Sequence, residues 1–357
     1  MEQIMVISSN YPPRIGGPAT IVPQISKELS RYFKIKVIAF MEKGLPKYEK
    51  KEFELFRSPS FYFFGFSNPI SVALRTILLS FYSRIILSKT KAKIIHAHDA
   101  HISLIAALFC KYTSFRRVVT ITKYAGDSVL EFTNLNNQSN ISIEQIMKKP
   151  GVKRKLLLSI QKKMFNLSDY VHVHNEYQKS VLIKLYGIPE NKILFLTNPI
   201  DTKKFSIKKE KSGGKEITLL IAARLVPWKC PEIVIKSVKK LATKITNLKL
   251  IIIGDGEEEY KSKLIKLSVD SPNGTILFKG RVKNDLMPKY YQESDILIQA
   301  STYEPFSNTI LESLSCGTPV LASNTGGNTK LVLNGINGYL FEAGNQKDFE
   351  EKLLKMI

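Results

Sequence analysis

The chain has 357 residues, of which 44% are hydrophobic and 24% charged, a globular composition that excludes disorder throughout and a length that predicts two domains. The formal net charge is +22. Residues 1–200 hold 29 Lys and Arg against 13 Asp and Glu, so the first half is expected to meet an anionic partner.

Strands and helices are predicted to alternate along the first half. It opens on a strand, QIMVIS, with no basic leader before it, so no signal peptide is expected. The apolar stretch 61–89 is interrupted by glycine, proline and arginine, and no transmembrane span is expected there. Runs rich in Ile and Val, followed by segments of helical period, indicate a parallel sheet with crossover helices. Strands are predicted at 34–40, 93–98, 117–122, 170–175 and 193–198, and helices at 152–167 and 176–186.

The pattern restarts in the second half. The stretch SIKKEKSGGKE, residues 206–216, is basic and lacks an apolar period, as is typical of a linker or an exposed loop between domains. We therefore predict an α/β architecture of two Rossmann-like domains in tandem, residues 1–200 and 201–357. Strands are predicted at 217–224, 248–256, 275–280, 296–301, 319–323 and 338–342, with helices at 231–242, at 258–267 and for about nine residues from Asn308.

Ligands of such sheets bind at the carboxyl ends of the strands. Gly16 and Gly17 follow the first strand, where backbone N–H groups could approach a phosphate or a sugar; a plain strand–helix turn explains the pair equally well. Arg224 and Lys229 follow the first strand of the second half and could neutralise a diphosphate. Taken alone, two solvated surface charges explain them better.

Two carboxylates, Glu304 and Glu312, flank the predicted start of a helix. Ser307 and Asn308 are residues of the N-cap type, and Gly317 ends the helical pattern. Free N–H groups at a helix start bind anions, whereas a carboxylate accepts hydrogen bonds from hydroxyls. We expect Glu312 to bind ribose hydroxyls and Glu304 those of a sugar. Nothing indicates a hydrolytic acid–base pair flanking one scissile bond.

Neither a metal site nor a dinucleotide fingerprint is predicted. The run HAHDAH, residues 96–101, ends a strand, but its spacing matches no zinc signature and a polar loop is commoner there. The run GDGEEE at 254–259 has Glu259 in place of a third glycine. The cysteines, Cys110, Cys230 and Cys316, are far apart, which favours free thiols in a reducing compartment.

Eight runs are similar to motifs of one known family. Five cover nearly all of the second half in order: ARLVPWK, LIIIGDGEEE, ILFKGRV, YYQESDILIQASTYEPFSNTILESLSCGTPVLASNTGG and NGINGYLF. Three lie in the first half: NYPPRIGGPATIVPQISKELS, IIHAHD and NPIDTKKF. Together they resemble the GT-B retaining glycosyltransferases of family four. The resemblance implies two Rossmann-like domains with an interdomain cleft, and sugar transfer from a nucleotide diphosphate to an acceptor with retention of configuration.

The resemblance also implies roles for single residues. It places Arg224 and Lys229 on the donor diphosphate, Glu304 on the transferred sugar and Glu312 on the ribose. It assigns further donor contacts to the following residues: Gly16, Gly17, Val282, Phe306, Ser307, Asn308 and Thr309. Many relatives carry a first-domain histidine where this chain reads TITKYAGD, which makes Lys123 and Asp127 the candidates for its place, and we expect Asp127 to be catalytic.

The implied chemistry is electrostatic. Arg224, Lys229 and the helix N-terminus would stabilise the departing diphosphate in place of a metal, so neither a metal nor a cofactor is expected. Cys230 stands where the family usually has glycine, which would stiffen that turn.

The resemblance gives the charge of the first half a meaning. The first domain of the family binds the acceptor, so its charge suits an anionic membrane or a lipid-diphosphate acceptor. The run GVKRKLLLSIQKKMF could lie on a bilayer, although a crossover helix with a solvated basic face explains it slightly better, and the same choice applies to residues 70–86. We expect a cytoplasmic enzyme, peripheral at the inner membrane face, that moves a hexose from a UDP- or GDP-sugar to a glycan or lipid-linked acceptor.

Two other functions stay open. A nucleotide-sugar epimerase or hydrolase of the same architecture would share the donor motifs. Nucleic-acid binding is suggested by the charge alone, but no reading module and no basic run interleaved with aromatic residues is present in the sequence, so no nucleic acid partner is expected.

Overall fold

The structure, a computed structural model, describes residues 1–14, 17–59, 68–124, 152–207, 216–272 and 274–357. These residues divide into two compact units, from Met1 to Pro199 and from Ile200 to Ile357. Each unit is built on one sheet with helices packed against it. The α/β class and the two parallel sheets confirm the predicted architecture.

The first unit contains an eight-stranded sheet of order β3-β4-β2-β1-β5-β6-β7-β8, parallel except for the pair β3 and β4. Its strands are β1 (Gln3–Ser8), β2 (Lys34–Phe40), β3 (Tyr48–Lys50), β4 (Glu54–Ser58), β5 (Ile94–Ala97), β6 (Val119–Lys123), β7 (Tyr170–Val173) and β8 (Ile193–Phe195). Its helices are α1 (Gly17–Leu29), α2 (Pro69–Ser88), α3 (Ile102–Thr113), α4 (Val152–Leu167) and α5 (Glu176–Tyr186). The helices predicted at 152–167 and 176–186 are thus confirmed.

The longest described helix is apolar on more than one side. Within α2, the stretch Ile70–Ser88 is long and apolar enough, by length and composition, to cross a membrane, and 44% of its most apolar part is buried inside the protein. Core helices of soluble proteins can be equally long and apolar, and Leu79 and Leu87 are fully buried in the core of the first unit. The helix begins at an N-cap, Asn68, whose side chain accepts a hydrogen bond from the backbone of Ile70 at 2.9 Å.

The second unit contains a fully parallel six-stranded sheet of order β11-β10-β9-β12-β13-β14. Its strands are β9 (Ile217–Ala222), β10 (Leu248–Ile253), β11 (Ile276–Gly280), β12 (Ile296–Gln299), β13 (Val320–Ser323) and β14 (Gly338–Phe341). Its helices are α6 (Pro231–Ala242), α7 (Glu258–Ser268), α8 (Met287–Glu293), α9 (Asn308–Ser315), α10 (Asn328–Leu331) and α11 (Gln346–Met356). Strands buried on both faces read as continuous Ile, Leu and Val runs, which is why the sequence predicts them well.

The chain enters the second unit before its first strand. Phe205 is fully buried in a cluster with Tyr291, and Gln292 donates a hydrogen bond to the carbonyl of Ser206 at 2.7 Å. The units divide between Pro199 and Ile200, so the segment 206–216 begins within the second unit rather than joining the two. Residues 208–215 of that segment lie outside the described residues.

Candidate active site

The loops that follow β9, β12 and β13 meet at one edge of the second sheet. These strands are neighbours and parallel, so their carboxyl ends lie side by side. The backbone N–H of Thr302 donates to the carbonyl of Trp228 at 2.8 Å, and the N–H of Gly327 donates to the carbonyl of Glu304 at 2.8 Å. Backbone hydrogen bonds therefore hold the three loops together.

The loop after β9 carries both predicted phosphate-binding cations. Arg224 is exposed, and its guanidinium carbon lies 5.7 Å from the centre of the Trp228 ring. Lys229 ends a short 3-10 turn, and Cys230 follows it with φ 49°. This is the left-handed region that favours glycine. Cys230 thus occupies the conformation that the family's usual glycine would adopt without strain.

Glu304 lies in the loop after β12 and is almost fully buried. Its Oε2 accepts hydrogen bonds from Lys229 Nζ and from Gln299 Nε2, the latter at 2.8 Å. Gln299 Nε2 also lies 3.0 Å from Ser307 Oγ. The structure therefore brings a predicted sugar-binding acid and a predicted phosphate-binding cation into direct contact.

Helix α9 begins as its sequence predicts. Ser307 is the N-cap, and its Oγ accepts a hydrogen bond from the backbone N–H of Ile310 at 3.4 Å. Thr309 Oγ1 lies 2.9 Å from Ser307 Oγ. Asn308 is the first helical residue, and Phe306 precedes the cap half-buried. The N-cap of the helix that should bind an anion therefore lies three residues after Glu304.

Glu312 lies on the second turn of α9 and is buried. Its Oε2 accepts a hydrogen bond from the hydroxyl of Tyr291, a fully buried residue of α8, at 2.7 Å. Burial raises the pKa of Glu312 to about 7, although the hydrogen bond from Tyr291 acts in the opposite direction. Around neutral pH this carboxyl group is therefore near its titration midpoint.

The remaining predicted donor contacts are spread over both units. Val282 follows β11 and is partly buried against the cluster that contains Phe205. Gly17 is the first residue of α1 in the first unit. Gly16 and Asp127 lie outside the described residues. Their roles stay predictions.

Four of the five histidines of the chain gather at the carboxyl ends of β5 and β7 in the first unit: His96, His98, His172 and His174. His172 Nδ1 lies 3.3 Å from His96 Nε2, and both rings are buried. Among the described residues, the ring nitrogens of His98 have no hydrogen-bond partner. Within the part of the chain that the structure describes, no group of three or more His, Cys, Asp or Glu residues could hold a metal ion.

A buried lysine lies beside these histidines. Lys123 ends β6, between β5 and β7, and its Nζ donates to Asn198 Oδ1 at 2.9 Å. Burial lowers the pKa of Lys123 to about 7. Asp99 is engaged elsewhere, since its carboxylate accepts hydrogen bonds from the backbone of His101 at 3.1 Å and of Ser103 at 2.9 Å at the start of α3.

Two family models match almost the whole chain. The model described as Glycosyltransferase Family 4 matches residues 15–204, more than half of the chain, and the model described as Glycosyl transferases group 1 matches residues 202–357. The chain belongs to Glycosyltransferase Family 4.

Similar proteins agree with this family. An uncharacterized glycosyltransferase of Methanocaldococcus jannaschii is 30% identical to this chain over 173 residues. The matched region covers 45% of this chain and 43% of that relative. Sucrose-phosphate synthase from Thermosynechococcus elongatus superposes with a TM-score of 0.82 at 15% identity, over 100% of this chain and 90% of that one. HepE of Anabaena in complex with UDP-glucose superposes with a TM-score of 0.73 at 17% identity, over 99% and 89%. These likenesses establish the GT-B fold that the motifs imply.

The sequence did not predict two residues of the glycosyltransferase that donate hydrogen bonds to Glu304 and Glu312. Gln299 donates to Glu304, and Tyr291 donates to Glu312. Gln299 ends the apolar strand ILIQ and Tyr291 lies in the helix MPKYYQE, and both look like ordinary residues of those elements. The weak signal for Gln299 is an amide at the last position of a buried strand, where the neighbouring residues are apolar.

Proposed function

We propose that this glycosyltransferase moves a hexose from a UDP- or GDP-sugar to a glycan or lipid-linked acceptor, with retention of anomeric configuration and without a metal ion. The observation that carries the proposal is the contact between Glu304 and Lys229 at the carboxyl edge of the second sheet, where Glu304 lies three residues before Ser307, the N-cap of α9. One group suits sugar hydroxyls and the other a phosphate, and they lie side by side.

Because Glu304 and Lys229 are paired with each other, both must exchange partners when a donor binds. Diphosphate oxygens compete with Glu304 for the ammonium of Lys229, and the sugar hydroxyls take the place of that ammonium on the carboxylate. Gln299 keeps its hydrogen bond to the Glu304 carboxylate throughout, so the carboxylate stays in position while its other partner changes. Glu312, one turn into α9, accepts hydrogen bonds from the ribose.

The reaction breaks one bond and forms one. As the bond between the anomeric carbon and the phosphate oxygen stretches, negative charge grows on the diphosphate, and Lys229, Arg224 and the positive N-terminal end of α9 stabilise it. The acceptor oxygen bonds to the anomeric carbon from the side of the leaving group, and its proton passes to the departing phosphate. A preorganised donor of this kind is worth about 10² to 10³ in rate.

The setting of the reaction is part of the proposal. We place the enzyme in the cytoplasm, at the inner face of a membrane, in the synthesis of cell-surface polysaccharide or glycolipid. The free state of the three cysteines and the excess of Lys and Arg in residues 1–200 support this setting.

Titration calorimetry with UDP and with GDP tests the donor site. We expect one nucleotide to bind with a micromolar dissociation constant and the Arg224→Ala/Lys229→Ala double variant to lose most of that binding. The matched control is Lys240→Ala, which removes a lysine paired with Glu350 elsewhere in the second unit. Absence of binding to the wild type, or unchanged binding to the double variant, would contradict the proposed site.

Product analysis separates transfer from hydrolysis or epimerisation. With the matching nucleotide sugar alone, a transferase releases nucleotide slowly, and an acceptor hydroxyl accelerates release. Rapid acceptor-independent release would instead assign hydrolysis, and a changed sugar still attached to the nucleotide would assign epimerisation. The anomeric configuration of the product, read by NMR, tests retention.

A further inference from the structure

Helices α2, α3 and α4 form one layer on the first sheet. Each connects parallel strands in the same direction across the sheet, from β4 to β5, β5 to β6 and β6 to β7, and right-handed crossovers of that kind lie on one face. Helix α3 contacts both α2 and α4. The Phe81 and Phe109 rings, 4.9 Å apart, join α2 to α3. We call the outer surface of this layer the α2–α4 face.

Helix α2 carries an apolar stripe on this face. Five residues repeat at intervals of three or four, which places them along one side of the helix over about 22 Å. They are exposed to the following extents: Ile70 61%, Leu74 39%, Ile77 51%, Phe81 57% and Ile85 50%. The opposite side of α2 is buried in the core. The stripe is therefore additional to the apolar surface that the fold requires.

The neighbouring helices extend the stripe sideways. Helix α3 adds the exposed side chains of Ile105 and Tyr112, and Phe115 just beyond it is fully exposed. Helix α4 exposes residues spaced four apart, Leu156 and Ile160 among them. Single exposed apolar residues are ordinary on a protein surface, but contiguous apolar surface on adjacent helices marks a docking site.

The charge of the same helices identifies what covers them. Their sequences contain eight Lys and Arg residues and no Asp or Glu. Between positions 55 and 126 the chain holds ten Lys and Arg residues against a single acid, Asp99, whose carboxylate binds the backbone at the start of α3. Lys155 and Lys163 are exposed on α4. Arg75 is buried and Lys111 pairs with Asp169, so the exposed positive charge comes chiefly from α4. An apolar stripe beside a basic helix matches the interface of an anionic bilayer.

A second copy of the chain fits this face poorly. A twofold dimer would place the same patch against itself, so the basic side chains of one copy would face a basic patch on the other, and no carboxylate on the three helices could pair with them. The absence of acidic residues from all three helices thus opposes self-association and favours a lipid surface.

We propose that the α2–α4 face docks on a membrane that contains anionic lipids. The stripe of α2 enters the boundary between headgroups and acyl chains, and the lysines of α4 lie among the headgroups. The inference deepens the membrane location given under the proposed function and assigns it to a surface. Vesicle binding needs neither a donor nor turnover, so its failure is distinguishable from failure of the proposed glycosyl transfer.

Cosedimentation with vesicles tests the inference on the full chain. We expect binding to vesicles of phosphatidylcholine with about 30% phosphatidylglycerol to be at least about tenfold tighter than to phosphatidylcholine alone, and to weaken as salt rises. The variant Ile77→Glu/Phe81→Glu should lose about tenfold or more in partitioning, because both carboxylates would have to enter the apolar boundary. Lys155→Glu/Lys163→Glu should weaken binding to the anionic vesicles only.

The matched control is Leu333→Glu/Ile336→Glu, which introduces the same charges at two exposed apolar positions of the second unit. It should bind vesicles like the wild type. All variants should keep the circular dichroism spectrum and the thermal unfolding midpoint of the wild type, which shows that they are folded. Equal binding of the wild type and Ile77→Glu/Phe81→Glu overturns the inference, and so does lack of binding to anionic vesicles. A dimer in sedimentation that Ile77→Glu/Phe81→Glu dissociates would also overturn it and assign the face to a second copy.

Discussion

Glu312 couples donor binding to pH. Burial raises its pKa to about 7, so close to neutral pH about half of the molecules carry it protonated. Ribose hydroxyls donate hydrogen bonds best to the ionised carboxylate. Nucleotide affinity should therefore rise as pH increases from about 6 to about 8, as Glu312 loses its proton.

Calorimetry of the preferred nucleotide across that pH range measures this dependence. The phosphate of the nucleotide titrates in the same region, but it does so equally with every variant. Glu312→Gln is the matched control: it should bind more weakly and show only the dependence that the nucleotide itself contributes. Identical pH profiles for the wild type and Glu312→Gln would remove Glu312 from the ribose site.

Cys230 carries a conformational cost that the family's usual residue avoids. Its φ of 49° lies in the left-handed region, which costs a residue with a Cβ atom about 1 kcal/mol. Cys230→Gly should raise the free energy of unfolding by up to about 1 kcal/mol, because the relief of strain exceeds the added entropy of the unfolded chain. Thermal unfolding followed by calorimetry measures the change.

Cys230→Ala is the control for the thiol. It removes the sulfur but keeps the Cβ atom and the same φ, so it should give no gain in stability. A gain from the alanine variant equal to that from glycine would show that the thiol, not the backbone, sets the cost.

At the scale of elements, the turn after β13 holds the Glu304 loop in place. A Cβ atom on Gly326 would lie 2.2 Å from the carbonyl oxygen of Glu304, and Gly327 donates a hydrogen bond to that oxygen. Gly326→Ala must therefore displace the loop. We expect kcat/KM to fall about 100-fold, since a shift of about 1 Å in a positioned group has that effect.

Gly335→Ala separates this collision from backbone strain. Gly335 also has positive φ, at 76°, but a Cβ atom there meets only the Tyr339 hydroxyl, at 3.8 Å. It should lose some stability and keep nearly all of its activity. If both alanine variants lost activity equally, the loop contact would have no special role in the site.

Elements with local signals were predictable from the sequence. The start of helix α9 was predicted to the residue because Ser307 is a cap type, and the start of β9 because a buried parallel strand is a continuous apolar run; α9 ends about one residue and β9 two residues before the predicted end. Strands β3 and β4 were missed, since YEK and ELFRS are short and mix apolar and charged residues without a clear period. Their pairing depends on the tertiary edge that β2 offers.

The contacts within the site were beyond the reach of sequence patterns. Lys229 and Glu304 were both named, but they were assigned to different groups of one ligand, and their contact across 75 positions depends on β9 and β12 being neighbours. Tyr291 was missed because its hydroxyl reaches Glu312 from another helix. A motif specifies residue types at fixed spacing, whereas the fold determines which distant side chain donates a hydrogen bond to each of those residues.

At the scale of the molecule, buried imidazoles make stability depend on pH. Burial lowers the pKa of His172 to about 4, and in the unfolded chain it returns to about 6.5. Below about pH 6.5 the unfolded state therefore binds the proton first, and the contribution of this group to stability is lost as pH falls toward about 4. Between pH 7 and pH 5 this amounts to about 2 kcal/mol.

Lys123 acts in the same direction at higher pH. Its pKa is about 7 in the folded chain and about 10.4 in the unfolded one, so the free energy of unfolding rises further between these pH values.

Urea unfolding at about pH 5 and about pH 7 tests the role of His172. Between these two pH values His172→Gln should lose less free energy of unfolding than the wild type. His101→Gln, at the histidine outside the cluster, should retain the wild-type loss. An unchanged loss in His172→Gln would show that other groups control the acid limit.

The first sheet ends in a three-residue strand at each edge, β3 on one side and β8 on the other. The unpaired N–H and C=O groups of a sheet edge are a template for pairing with another chain, and a very short or charged edge strand reduces such pairing. Glu49 and Lys50 lie on β3 itself, whereas β8, Ile193–Phe195, is apolar and is protected by its short length alone. Docking on a lipid surface, as we propose, would raise the local concentration of the enzyme and with it the hazard of β-aggregation, and two such short edge strands would limit the pairing of sheets between neighbouring molecules.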